Sequence, residues 1–130
     1  MAAYTRFEVY LPVHFTVTSI DPATGASRIA RQALDDALVA EFMREAVALF
    51  GGVTQAHPVG SPPSRGMWLS RELGEIAIDD LTYLFVLAPV HQFDEALAFF
   101  ERWRGRFVEA THQEAILVTY APINVVGGFL

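Results

Sequence analysis

The sequence predicts an α+β fold in which an antiparallel sheet carries two helices on one of its faces. Two observations support this fold class. Apolar residues first recur at every second position and then at a spacing of about 3.6, and this change of period occurs twice along the chain. The 130 residues also fit one domain, 1–130, and no linker or internal repeat divides them.

The first predicted element is a strand over residues 5–17, TRFEVYLPVHFTV, because apolar and polar residues alternate there. One face carries Phe7, Val9, Leu11, Val13, Phe15 and Val17. The other face carries Arg6, Glu8, Tyr10, Pro12, His14 and Thr16. Pro12 has no N–H group to donate to a ladder, so it indicates a bulge or an edge position. The sequence DPATG at 21–25 then predicts a turn.

The spacing of apolar residues predicts two helices, over residues 31–50 and 93–109. The first helix presents an apolar stripe made of Leu34, Leu38, Phe42, Ala46 and Leu49. Gly51 and Gly52 follow this stripe as a helix stop signal. The second helix presents a stripe made of Ala96, Phe100, Trp103 and Phe107. Both helices are therefore expected to bury one side against the sheet.

Extended segments account for most of the remaining chain. VTQAHPV at 53–59 and GMWLS at 66–70 are predicted as strands on either side of a loop, GSPPSRG, at 60–66. EIAIDDLTYLFVLAPV at 75–90 and EAILVTYAPINVV at 114–126 are later strands. The resulting order of strand, helix, strand, strand, helix and strand is the split βαβ, or ferredoxin-like βαββαβ, arrangement.

The sheet face that lies away from the helices predicts self-association. In LTYLFVLAP at 81–89 and AILVTY at 115–120, both faces of the strand are apolar. A monomer would leave one of these faces in water as a patch larger than soluble monomers usually carry. We therefore expect the partner to be a second copy of the chain, in a homodimer or, as the alternative, a trimer. The apolar tail INVVGGFL at 123–130 is the other segment that could cover this face.

Composition excludes several classes of function. The net charge of -6 argues against nucleic-acid binding, which depends on neutralising phosphates with basic side chains. The sequence contains no lysine, which excludes Schiff-base chemistry and the lysine of a phosphate-binding P-loop. It also contains no cysteine, which excludes disulfides, thiolate catalysis and cysteine-ligated zinc. No cofactor and no metal are predicted.

A membrane partner is not predicted either. No apolar run approaches the ~20 residues that a membrane-spanning helix requires. The start of the chain, MAAYTRFEVY, lacks the charged region and following apolar region of a signal peptide. We therefore expect a cytoplasmic protein.

Several motifs resemble a known group of proteins. They are FGGVT at 50–54, Gly66 and Trp68 after a variable loop, and HQEAILV at 112–118. Together they resemble small bacterial ferredoxin-like domains of unknown function, which at fold level are similar to the PII and CutA trimers and to the dimeric α/β-barrel proteins. A PII-like relative would imply sensing of a nucleotide or small molecule through the loop before Trp68. No nucleotide-binding residue set matches this sequence.

The loop at 60–66 and its neighbours are the first candidate ligand site. Loops of this length are uncommon in compact domains unless they are functional, and this one is expected to be exposed and more mobile than its flanks. Arg65 and Trp68 stand at its end, and a guanidinium beside an indole is a common way to hold an anion or a planar ring. The structural alternative is that Trp68 packs over a helix while Arg65 is solvated.

Further candidate residues are His14, His57, Tyr10 and the Asp79–Asp80 pair. Histidine is the commonest metal ligand and acid–base group, but no His-x-x-x-His spacing occurs, so a surface or hydrogen-bonded role is the structural alternative. Adjacent strand residues point to opposite faces, so Asp79 and Asp80 do not form an acid–base dyad. A bend or bulge in the strand is their structural alternative.

Two functions from different classes follow from these observations. The first is a homo-oligomeric module that binds a small molecule or acts as a regulator, with its site at the loop or on the sheet face. The alternative is a small cofactor-independent enzyme of the dimeric α/β-barrel type, with His14 or an aspartate of the 79–80 pair as base. We favour the first, because no set of nucleophile, base and orienting group is visible.

Overall fold

The computed structural model describes residues 2–56, 64–69, 76–113 and 116–126. These residues form seven strands, two helices and a short 3₁₀ turn at Val90–Gln92. The strands are β1 Ala2–Pro12, β2 His14–Ile20, β3 Ser27–Ala33, β4 Thr54–Ala56, β5 Ser64–Leu69, β6 Ile76–Pro89 and β7 Val118–Val125. The helices are α1 Asp36–Phe50 and α2 Phe93–Thr111.

The main sheet is antiparallel and is built around β6. The order β4–β6–β1–β7 runs across it, and β5 also pairs with β6. Leu81 is the register partner of both Pro12 and Ser64, so β1 lies along one edge of β6 and β5 along the other. The predicted α+β class, with an antiparallel sheet and two helices, is confirmed. The predicted six-element order is not matched, because a separate hairpin precedes α1 and two strands, β4 and β5, stand between α1 and β6.

Both helices pack against the same face of this sheet. Phe7, Val9 and Leu11 of β1 and Leu84, Val86 and Ala88 of β6 are buried in one cluster with the helices. Alternate residues of a strand point to opposite faces, so this burial assigns the odd-numbered positions of β1 to the helical side. The prediction that Phe7, Val9 and Leu11 share a core-facing side is confirmed.

Aromatic rings fill the space between α1 and α2. Phe42 of α1 is fully buried, and its ring lies 5.2 to 5.7 Å from the rings of Phe99, Phe100, Trp103 and Phe107, measured between centroids. The predicted stripe of α2 is confirmed, because Ala96, Phe100, Trp103 and Phe107 are all buried. Two exposed ion pairs, Arg102 with Glu45 and Arg106 with Glu41, join the helices at the surface.

The first helix begins later than the sequence analysis predicts. Residues 31–33 belong to β3, and α1 starts at Asp36 after Asp35, whose carboxylate accepts a hydrogen bond from the Ala37 N–H. An aspartate in this position caps the free N–H groups of the first turn. The buried residues of α1 are Val39, Phe42, Ala46 and Phe50, so the predicted stripe was wrong at its end, where Leu49 is exposed. Gly51 ends the helix at φ 85°, as a glycine stop signal predicts.

The chain leaves the main sheet directly after Pro12. Val13 separates β1 from β2, and its N–H group donates to the carbonyl of Asp80 while its own carbonyl accepts from Leu34. Strands β2 and β3 then pair with each other as a separate two-stranded sheet around the turn at 21–26. The predicted strand over 5–17 is therefore two strands with a break after its proline, and β3 was not predicted.

Two other segments differ from the predictions. Ser64, Arg65 and Gly66 were placed in a loop, but they form the start of β5, in register with Leu81, Asp80 and Asp79. The earlier part of that loop lies outside the described residues, as does residue 57. Neither helix in the described part of the chain combines the length and the apolar character that crossing a membrane requires.

Candidate functional site

The sheet face opposite the helices carries a group of polar and aromatic side chains. We call it the open sheet face. In the described residues it is formed by the even-numbered positions of β1 and by the odd-numbered positions of β6 and β7, which pair directly across the strands. The side chains concerned are Arg6, Glu8 and Tyr10 from β1, Leu81, Tyr83, Phe85 and Leu87 from β6, and Thr119 and Ala121 from β7.

Three residues of β1 form a hydrogen-bonded cluster on this face, which we call the β1 polar cluster. Arg6 donates from Nε to Glu8 Oε1, and the Tyr10 hydroxyl donates to Glu8 Oε2. Each carboxylate oxygen of Glu8 therefore has a donor from a different neighbour. The side chain of Glu8 is 17% exposed and that of Arg6 is 35% exposed. Glu8 thus fixes the orientation of both neighbours while Arg6 keeps contact with solvent.

Aromatic rings from β6 surround the β1 polar cluster. The Arg6 guanidinium carbon lies 3.8 Å from the centroid of the Phe85 ring, within the range of a cation–π contact. The rings of Tyr10 and Tyr83 are 5.5 Å apart between centroids. The register explains both contacts, because Glu8 is opposite Phe85 and Tyr10 is opposite Tyr83. The result is an aromatic surface with one oriented guanidinium.

The position of Tyr10 raises the pKa of its phenol above the usual value. The largest cause is the hydrogen bond to Glu8, and burial and the charge of Glu8 act in the same direction. A hydrogen bond with Thr119 opposes the rise, because it favours the phenolate. Tyr10 is therefore held as a protonated donor throughout the neutral pH range.

Within the described part of the chain, Glu8 is the only hydrogen-bond partner of the Arg6 guanidinium. That bond uses Nε, so the two terminal nitrogens remain for another acceptor. Their parallel N–H groups match the two oxygens of a carboxylate or of a phosphate. The β1 polar cluster can therefore present a bidentate donor to an anionic group that lies on the open sheet face.

The structure distributes the site residues predicted from sequence along β6. Trp68 is in register with Ala77, Arg65 with Asp80, and Tyr10 with Tyr83. At about 3.3 Å per residue, the levels of Trp68 and Tyr10 are roughly 20 Å apart along the strand. Arg65 and Asp80 are brought side by side on neighbouring strands, and Asp79 is opposite Gly66. The predicted bulge at Asp79 and Asp80 is absent from the pairing of β5 with β6, which is continuous there.

His14, the one predicted site histidine within the described residues, does not join the β1 polar cluster. His14 is exposed at the start of β2 and pairs with Ala33 in the hairpin, on the far side of the break at Val13. His57 lies outside the described residues. Among the residues that the structure does describe, no group of three or more His, Asp or Glu side chains is placed to hold a metal ion.

Sequence reasoning placed Arg6 and Glu8 on the polar face of the first strand but did not select them as site residues. A signal was present. Charged residues at positions i and i+2 of a strand lie on one face, and here that face is the one that the helices leave uncovered. Their contact with Phe85 depends on the pairing of β1 with β6, which the local sequence does not specify.

No protein-family model matches the chain, and a search of curated proteins finds no match. Function is therefore argued from the geometry of the open sheet face.

Proposed function

We propose that this chain is a self-associating module that binds a small anionic, planar ligand on its open sheet face. The single observation that carries the proposal is the β1 polar cluster, in which Glu8 orients the Arg6 guanidinium over the Phe85 ring. A carboxylate attached to an aromatic ring fits this arrangement, because the guanidinium fork can bind the carboxylate and the neighbouring rings can stack on the ligand.

Burial supports a ligand at this position rather than a purely structural ion pair. Leu81, Tyr83, Phe85 and Leu87 are half-buried in the single chain, although no helix covers them. Covering them would remove apolar area from water at ~25 cal/mol per Å² and would strengthen the contacts of the guanidinium in a drier environment. A ligand and a second subunit can both contribute to this coverage.

The proposal extends to the strand order of the main sheet. When the β2–β3 hairpin is set aside and β4 and β5 are taken as one interrupted strand, the sheet order becomes that of a ferredoxin-like domain. This supports the resemblance to small bacterial ferredoxin-like domains. We propose a homodimer in which two open sheet faces are brought together, with a trimer as the alternative.

Ligand binding is tested with benzoate as the probe and benzyl alcohol as its uncharged analogue. Backbone amide NMR shifts are recorded during titration of the parent, of Arg6→Met and of the control Arg44→Met, which changes an exposed arginine of α1. We expect benzoate to shift amides of β1 and β6 in the parent and the control, and the shifts to disappear in Arg6→Met. Benzyl alcohol should bind more weakly than benzoate to the parent.

Two results would contradict the ligand class. One is benzoate binding that is unchanged in Arg6→Met. The other is absence of benzoate shifts at β1 and β6 in the parent. Binding of benzyl alcohol with the strength of benzoate would keep the site but remove the requirement for a negative charge.

Self-association through the open sheet face is tested by light scattering. Leu87→Glu places a charge on that face, and Ala98→Glu places the same charge on an exposed position of α2. We expect a dimer for the parent and for Ala98→Glu, and a monomer for Leu87→Glu. A parent mass near the 14.4 kDa of one chain would remove self-association from the proposal.

The alternative function, a small cofactor-independent enzyme, remains a prediction from the sequence. In the described residues His14 is separated from Tyr10 by the break at Val13, and the Tyr10 phenol is not activated as a nucleophile, because its pKa is raised beside Glu8. The geometry favours binding over catalysis for this reason.

A further inference from the structure

The β2–β3 hairpin packs little against the other helices and strands that the structure describes. We call residues 14–33 the arm. Its backbone is joined to the main sheet at its base, through the hydrogen bonds of Val13 with Asp80 and Leu34. Beyond the base, no other described helix or strand packs extensively against β2 or β3, and every residue of β3 is exposed.

Such an arm is an unusual element for a single chain. Seven paired residues at about 3.4 Å each give it a length of roughly 20 Å. A hairpin of two strands is only marginally stable in water unless something packs against it. Its base is held by Phe15, which is 7% exposed, but this residue anchors only one end. A surface that packs along the arm would therefore stabilise it.

One face of the arm has the composition of a contact surface. Ile29 is opposite Thr18, and residues paired across the hairpin share a face. Thr18 and Ile20 are two residues apart on β2, so Ile20 and Ile29 lie on the same face. Ile20 is 69% exposed and Ile29 is 75% exposed. Arg31, two residues beyond Ile29, lies on this face too, whereas Arg28 lies on the opposite face. The contact face thus combines two exposed isoleucines with one cation.

A second exposed apolar surface lies where α1 ends and α2 begins. Gln92 donates from Nε2 to the Leu49 carbonyl at 3.0 Å, which holds these two helix ends together. The exposed apolar residues here are Val47, Leu49 and Val90. Asp94 and Glu95 are exposed in the first turn of α2, and the last turn of α1 has no basic residue. We call these five residues the helix-end patch.

We propose that the arm of one copy docks on the helix-end patch of a second copy. The inference rests on the self-association proposed above and names a further contact of that assembly. Isoleucines on the arm match the apolar side chains of the patch, and Arg31 matches Asp94 and Glu95. The arm has two arginines and one aspartate, whereas the whole chain has a net charge of -6, so the acidic body of a second copy attracts it.

A second copy explains these features better than another partner. Each chain has one arm and one helix-end patch, so a two-fold axis would form both contacts at once and close the assembly. Every copy of the chain carries the patch, so the arm and the patch are always present at equal concentrations. Reciprocal contacts of this kind also double the effect of each substitution on the dimer.

Charge reversal with rescue tests the proposal. The variants are Arg31→Glu, Asp94→Arg and the double variant that carries both changes. Arg28→Glu is the matched control, because it makes the same charge change on the opposite face of the arm. Sedimentation velocity over a series of concentrations gives the dimer dissociation constant of each variant, and circular dichroism confirms that each one is folded.

We expect Arg31→Glu and Asp94→Arg each to weaken the dimer about tenfold or more, and the double variant to recover most of the parent affinity. Arg28→Glu should have a much smaller effect. Equal weakening by Arg31→Glu and Arg28→Glu, or no recovery in the double variant, would overturn the arm contact.

The same measurement separates this inference from the proposed function. If Leu87→Glu gives a monomer and Arg31→Glu leaves the dimer unchanged, the open sheet face stands and the arm contact fails. If charge reversal shows rescue and Leu87→Glu has no effect, the arm contact stands and association through the open sheet face fails. A monomeric parent overturns both contacts, while benzoate binding remains a separate result.

Discussion

Phe42 is the side chain whose removal should affect the stability of the domain most clearly. It is fully buried, and its ring contacts four other rings that belong to α2. Phe42→Ala leaves a cavity between the two helices at the point where they meet. Because these neighbouring rings are held by α2 and by the sheet, they can move only partly into that space.

The expected loss of unfolding free energy is about 3–5 kcal/mol for a buried phenylalanine changed to alanine. The upper half of this range is expected here, since aromatic pairs contribute about 0.5–1.5 kcal/mol each beyond their buried area. A domain of this kind is stable by about 5–15 kcal/mol in total. Phe42→Leu keeps much of the volume and loses the ring contacts, so it should cost less than Phe42→Ala.

Urea denaturation followed by fluorescence and circular dichroism measures these changes, with all variants at one protein concentration. Arg44→Ala, at an exposed position of the same helix, is the control and should change stability by less than about 0.5 kcal/mol. A loss below about 2 kcal/mol for Phe42→Ala, or equal losses for the alanine and leucine variants, would show that the ring cluster is not the centre of the helical layer.

Three further predictions concern protonation and buried polarity. Because the pKa of Tyr10 is raised in the folded protein, the protonated phenol contributes fully to stability below the ordinary pKa of tyrosine. This contribution should be lost as pH rises through the higher folded-state value. Tyr10→Phe should remove the resulting fall in unfolding free energy, measured by urea titrations at alkaline pH. The hydrogen bond from Arg106 lowers the pKa of Glu41, so the stability that this pair contributes should be present above the ordinary pKa of glutamate and be lost as pH falls through the lower folded-state value. Glu41→Gln should therefore flatten acid unfolding. Trp103→Phe should lower the melting temperature far less than Trp103→Ala, because phenylalanine keeps a ring in the buried site and the lost indole N–H has no hydrogen-bond partner in the described residues.

Regular burial made part of the fold predictable from sequence. The faces of β1 and α2 were identified correctly because each buries one side in the shared core cluster, which imposes a clear period on the apolar residues. The helix stop at Gly51 was identifiable for a local reason, since its positive φ favours glycine.

The β2–β3 hairpin was not predicted because β3 has no buried side that would impose an alternation of apolar and polar residues. SRIARQA at Ser27–Ala33 is exposed along its whole length, so its apolar residues do not alternate with a core. Leu34 then stands four residues before Leu38, which imitates the spacing of a helix and shifted the predicted start of α1 to residue 31. The cap at Asp35 was a local signal for the true boundary.

The candidate site was only partly predictable for a different reason. Tyr10 was selected, but its importance depends on Glu8 beside it and on Tyr83 across the strand pair. The contact between Arg6 and Phe85 joins residues that are distant in sequence. Periodicity assigns a residue to a face, while the neighbours on that face are decided by the register between strands.

The pairing of β1 with β6 and β7 also determines when the domain can be completed during synthesis. Phe7 is in register with Val86 and Tyr120, so all the elements from β2 to β5 must be made before β1 has any partner in the main sheet. A nascent chain therefore holds β1 unpaired while α1 is already able to form and α2, which follows β6, has not yet been made. Folding of this protein should be limited by closure of the long loop between β1 and β6. Until that loop closes, β1 is accessible to a chaperone and can pair with the wrong strand.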